Sequence, residues 1–79
     1  MREQIDEVLS EVLTIALGRP IAPGEEVARE DEPTWDSLKH LQILFAIEDA
    51  FGIHFSVEEM ASAASVSDLK AKVLASHAA

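Results

Sequence analysis

The sequence predicts an all-α fold, a small four-helix bundle with a long first loop and a short third helix. Apolar residues recur at helical spacing in three stretches, and a capping box opens a fourth. Nothing alternates with period two for long enough to build a sheet. Phe51-Gly52-Ile53-His54-Phe55 comes closest, but a lone strand would have no partner. The 79 residues suit a single domain over 1–79, with a core large enough to fold and little stability to spare.

The first helix is expected over about 3–17. Ile5, Val8, Leu9, Val12, Leu13 and Ala16 follow the i, i+3, i+4, i+7 rule, and Glu3, Glu7 and Glu11 take the other side. Acids in its first turns suit the positive end of the helix dipole. Gly18 fits a C-terminal cap and Pro20 cannot continue the helix. Residues 18–36, with Pro20, Pro23, Gly24 and Pro33, then form a long connection, which Ile21, Val27 and Trp35 are placed to pin to a core. Its acidic stretch from Glu25 to Asp36 fails as a calcium-binding EF-hand loop. Val27 and Arg29 stand where oxygen ligands are needed, and Glu30 replaces the turn glycine.

A second helix is expected over about 37–51, with Leu38, Leu41, Leu44, Phe45 and Ile47 as a broad apolar face and Gly52 as its stop. Ser56-Val57-Glu58-Glu59 is a capping box that starts a short helix over about 56–62. Ser65-Val66-Ser67-Asp68 is a weaker form of the same signal. It opens a fourth helix over about 66–76, with Val66, Leu69, Val73 and Leu74 facing inward.

Charge and composition close off several classes of function. Six Lys+Arg stand against fifteen Asp+Glu, a formal charge of −9, so binding to nucleic-acid phosphate or an anionic membrane is not expected. With 48% hydrophobic residues the chain is no disordered acidic tail. Three scattered histidines and no cysteine argue against a structural zinc site. No apolar run approaches membrane-spanning length and the acidic start is unlike a signal peptide, so a soluble cytoplasmic monomer is expected. A Gly-rich phosphate loop, a Ser-His-Asp set and metal-ligand spacing are all missing, and Glu58-Glu59 and Glu30-Asp31-Glu32 read as solvated surface rather than acid/base pairs.

The informative tripeptide is Asp36-Ser37-Leu38, where the long loop meets the second helix. A serine there lies among free backbone amides at the positive end of a helix dipole, favourable surroundings for a phosphate ester. The plain alternative is that Ser37 or Asp36 only caps the helix. Against pure capping by Ser37, the third residue on is His40, not the Glu or Gln of a capping box.

The order of features around this tripeptide resembles the acyl carrier protein family. Asp36-Ser37-Leu38 is followed at family-like spacing by Ala46-Ile47-Glu48-Asp49-Ala50-Phe51, then Gly52-Ile53-His54-Phe55, Ser56-Val57-Glu58-Glu59 and Ala64-Ser65-Val66-Ser67-Asp68-Leu69. The likeness covers roughly residues 34–75; over the first helix it is one of pattern only. It implies that a phosphopantetheinyl transferase esterifies Ser37 with 4'-phosphopantetheine, whose terminal thiol carries an acyl or aminoacyl group as a thioester. Such a protein is a carrier and not an enzyme. It holds an intermediate at high local concentration for acyl-loading, acyl-transfer or synthase enzymes with basic docking surfaces. Fatty-acid, polyketide or specialised lipid synthesis is the implied setting. The resemblance also marks Asp36, Leu38, Lys39, His40, Gln42, Glu48 and Asp49 as motif or partner-facing positions. It further implies an acyl cleft between the second and third helices, lined by Leu41, Phe45, Ile53, Phe55, Met60 and Ala61.

Departures from the family pattern qualify that picture. Lys39 and Gln42 stand where central fatty-acid carriers have acids, and only Glu48 and Asp49 restore charge late in the helix, which suggests a specialised carrier with dedicated partners. Trp35 replaces a usually small residue and reads as a core anchor, with an exposed interface platform as the alternative. Lys39 and His40 read as solvated residues. A sharper reading puts His40 on the face of Ser37, where with Lys39 it would partly neutralise a phosphodiester. An aminoacyl or D-alanyl carrier is an alternative within the class, although Thr34-Trp35-Asp36-Ser37 is unlike the Gly-Gly-His-Ser motif of peptidyl carriers. An unmodified helical adaptor is the alternative from another class. Ten acids and three bases fall in residues 1–36, against five and three in residues 37–79. Any docking by charge should therefore use the first loop and the late second helix.

Overall fold

The computed structural model describes residues 2–78, with side chains over residues 4–76. Four α-helices follow one another: α1 Arg2–Leu17, α2 Ser37–Phe51, α3 Val57–Ser62 and α4 Val66–Ala78, with a 3-10 turn at Arg29–Asp31 inside the first loop. Among the described residues there is no strand, only one isolated antiparallel bridge, Ala28 to Ser65. None of the helices described is long and apolar enough to cross a membrane.

Helix α1 buries Ile5, Leu9, Leu13 and Leu17, a four-residue repeat along one face, with Val12 and Ala16 half-buried beside it. It packs against both α2 and α4. Ile43, Leu44 and Ile47 of α2 meet that face, as do Leu69 and Val73 of α4, and all five are sealed from solvent. The Cα radius of gyration is 11.4 Å, which is what a compact chain of this length has.

The long first loop is fastened at three depths. Ile21, Val27 and Trp35 are buried in the core, as expected of the apolar residues of this loop. The Thr14 hydroxyl accepts the Ile21 amide at 3.0 Å, holding the chain as it leaves α1. Farther along, the Val66 amide donates to the Val27 carbonyl and the Arg29 amide to the Ala64 carbonyl, at 3.0 and 2.8 Å. These bonds tie the middle of the loop to the α3–α4 connection. Glu26 adds a side-chain tie, accepting the amide of Ser67 at 3.0 Å and its hydroxyl as well.

Capping explains the shorter elements. Ser56 and Glu59 form the reciprocal box at the start of α3, with bonds of 2.9 and 3.0 Å. In α4 the Ser65 hydroxyl accepts the Asp68 amide, while the Asp68 carboxylate accepts from Ala64, one residue outside the reciprocal pattern. Gly52 ends α2 in a left-handed conformation, φ 66° and ψ 37°, where a side chain would be strained. His77 lies outside the described side chains.

The apolar face of α2 is the expected one only in part, through Leu44 and Ile47. His40, Ile43, Leu44 and Ile47 face the core, whereas Leu38, Leu41 and Phe45 are exposed. Two stripes at helical spacing overlap in this segment, sharing Leu44 and Ile47, and the one that contains the histidine is buried.

Candidate functional site

The site is built from the end of the loop inward. Trp35 is a core anchor, 2% exposed, and the indole N–H can only donate. It donates to His40 Nδ1 at 3.0 Å. That nitrogen must therefore accept, so the proton sits on Nε2, which donates to the Met60 carbonyl at 2.7 Å. One imidazole joins the loop, α2 and α3. His40 is 7% exposed with both ring nitrogens engaged, so the expectation of a solvated or phosphate-neutralising histidine is corrected. Counting histidine as polar hid it. The spacing of His40, Ile43, Leu44 and Ile47 was the signal that could have found it.

Beside this anchor the chain turns outward. Asp36 is the N-cap, its carboxylate accepting the Lys39 amide at 2.9 Å. Ser37 is consequently the first helical residue, and its hydroxyl is not spent on capping. The side chain is exposed, and its oxygen accepts one long bond, 3.5 Å from Arg29 Nη2. The same guanidinium donates through Nε to the Trp35 carbonyl at 3.3 Å. Arg29 was not among the expected site residues. It lies eight positions upstream in a loop without periodicity, and only the fold brings it to the serine.

The other marked positions separate. Leu38 is 63% exposed and Phe45 54% exposed; with Leu41, and with Val57 of α3 exposed at 83%, the surface near Ser37 is largely apolar. Lys39 is half-buried and forms no ion pair among the described residues. Gln42 lines a different groove of about 410 Å³ between α1 and α2, with Val12, Ile15, Ala46 and Ala50. Ser37 is not part of that groove. Glu48 is half-buried and turned to structural use: its carboxylate accepts the Phe55 amide at 2.8 Å and lies 3.8 Å from His54 Nδ1. Asp49 alone of the late pair is exposed.

The expected cleft is divided. A depression of about 350 Å³ is lined by Ser37, Arg29, His40, Leu41, Val57, Met60 and Ala61. Phe45 and Ile53 line a separate one with Glu48, Asp49, Gly52 and His54, and Phe55 is buried in the core. Three of the six expected residues thus border the space beside the serine. An ester on Ser37 would meet no steric obstacle at its exposed hydroxyl, and an arm leaving it would find apolar wall on one side. In these respects the residues present fit a 4'-phosphopantetheine group.

The acidic loop is less free than its composition suggests. Arg19 donates to Glu32 at 2.8 and 3.0 Å and lies 3.5 Å from Glu25. The hydrogen bond from Arg19, with a second from the Thr34 hydroxyl, holds the Glu32 carboxyl below the usual glutamate range. Glu30 and Asp31 are exposed and unpaired among the described residues. No group of three or more described His, Asp or Glu side chains is arranged to hold a metal ion.

The fold and site define an all-helical chain that presents one serine at the head of its second helix. Comparison with protein-family models, curated proteins and solved structures returned no match.

Proposed function

We propose that the chain is a carrier protein with the architecture of an acyl-carrier-like four-helix bundle, esterified on Ser37 by 4'-phosphopantetheine. One observation carries this reading. Asp36 does the capping, so the Ser37 hydroxyl stands exposed at the head of α2 with no structural duty. The hydroxyl oxygen would form the new bond to the pantetheine-bearing phosphorus of coenzyme A. Adenosine 3',5'-bisphosphate leaves, and the hydroxyl proton passes to a base of the transferase. The bound group supplies a thiol that carries cargo as a thioester. Leu41, Val57, Met60 and Ala61 offer apolar surface to a short acyl chain beside the attachment point, which favours acyl over aminoacyl cargo. The chain itself catalyses nothing and works by raising local concentration for its partner enzymes.

Incubation with a broad-specificity phosphopantetheinyl transferase and coenzyme A, read by intact mass, tests the reading. One phosphopantetheine should be gained by the wild type and none by Ser37→Ala. A wild type that gains nothing would return the chain to the adaptor reading, which the exposed Leu38, Leu41, Phe45 and Val57 would then serve.

A further inference from the structure

We infer that Arg29 is the built-in counter-ion of a phosphate ester on Ser37 and a positioning residue for the root of the arm. This rests on the carrier reading of Ser37. Four observations converge on it. The backbone of Arg29 is fixed, its amide donating to the Ala64 carbonyl at 2.8 Å within the 3-10 turn. Its side chain is aimed, because Nε donates to the Trp35 carbonyl at 3.3 Å, and Trp35 is itself held by His40. Its charge is unspent. Arg19, Lys70 and Lys72 each pair with a carboxylate. Arg29 pairs with none among the described residues, in a loop segment with six acids between Glu25 and Asp36.

The fourth observation is the partner it does have. Nη2 stands 3.5 Å from Ser37 Oγ, longer than a good N–H···O bond, and a neutral hydroxyl is a weak match for a guanidinium. A phosphate on that oxygen would place anionic oxygens one bond farther out, within reach of the planar fork that favours two-pronged contacts to phosphate. The contact is poor for free serine and well suited to its phosphate ester. Arg29 also lines the depression that holds Leu41, Val57 and Met60, so pairing there directs the root of the arm along apolar wall rather than into solvent. Arg29 thus takes the role that the sharper of the two sequence readings gave to His40 with Lys39.

The test compares unloaded and loaded protein for wild type, Arg29→Gln and Arg29→Met, with loading verified by intact mass. Each variant loses the Trp35 contact in both states, so that loss cancels in the loaded-minus-unloaded difference. In the wild type, loading should raise Tm by about 2–5 °C at low salt, and the rise should shrink at high salt. In the variants, loading adds a negative charge to an acidic protein without a counter-ion, so Tm should stay level or fall. The phosphorus resonance of the loaded wild type should also be displaced from those of the variants. Equal loading differences and coincident phosphorus resonances in all three proteins would overturn the inference while leaving the carrier reading intact. Absence of loading in the wild type would overturn both. If Arg29→Gln fails to fold or load, Arg29→Met decides by the same two readouts.

Discussion

The indole N–H of Trp35 has a single chemical option, and its use sets the geometry next to Ser37. Donation to His40 Nδ1 selects the tautomer whose Nε2–H reaches the Met60 carbonyl. Ser37 is therefore framed by a buried relay from loop to α2 to α3, and no described buried polar side-chain atom is left without a partner. Trp35→Phe keeps an aromatic ring but removes the donor and part of the indole volume, leaving Nδ1 unsatisfied in the core beside a small cavity. It should lower unfolding free energy by about 1–2 kcal/mol in a denaturant titration. An unchanged midpoint would mean that the relay contributes no stability. The anchoring role of Trp35 was legible in the sequence, since a large aromatic in a long loop needs burial. That of His40 was not, because a hydropathy pattern gives a polar residue no weight when it guesses which face is covered.

Single helices were legible where their signals are local. The Ser56–Glu59 box lies within four residues and formed as its sequence promised. The Glu26–Ser67 tie spans 41 residues, and nothing near Glu26 announces it. In α2 two overlapping stripes competed, and tertiary packing, not local spacing, decided between them. The box also makes a prediction in pH. The Glu59 carboxyl is held below its usual value, first by the Ser56 backbone amide; desolvation opposes this, and the Ser56 hydroxyl and the charge of Lys72 add smaller contributions in the lowering direction. A depressed folded-state pKa adds stability that is present above the unfolded value and lost as pH falls through the folded one. Below about pH 4.3, the ordinary glutamate value, the wild type should therefore lose Tm more steeply than Glu59→Gln, which keeps a hydrogen-bonding side chain but cannot titrate. Parallel curves would show that ionisation of the box is irrelevant to stability. Ser56→Ala, which removes the cap itself, should cost about 1 kcal/mol at neutral pH.

At the scale of the whole molecule, the charge of −9 is divided between spent and unspent groups. Glu32 is tied to Arg19 and Thr34, and Glu48 is turned to the Phe55 amide. Of the first-loop run and the late-α2 pair that composition offered to a basic partner, Glu30, Asp31 and Asp49 remain exposed. The surface nearer Ser37 presents exposed apolar side chains, Leu38, Leu41 and Val57, with Phe45 farther along α2. Under the carrier proposal this arrangement separates two tasks of docking: exposed charge steers the encounter, and apolar contact sets how long the complex lasts. For the proposed loading reaction, Glu30→Lys with Asp31→Lys should slow association with a basic transferase about two- to tenfold at low salt. The dissociation rate should change little, and the effect should fade as salt rises. Leu41→Ala with Phe45→Ala should do the reverse, speeding dissociation while leaving the low-salt association rate near wild type. Stopped-flow measurement of both rates for the two double variants separates the tasks. An unchanged association rate in the charge-reversed protein at low salt would remove the first loop from partner recognition. Glu32→Lys makes a separate control, because it breaks the Arg19 tie and should lower Tm as well.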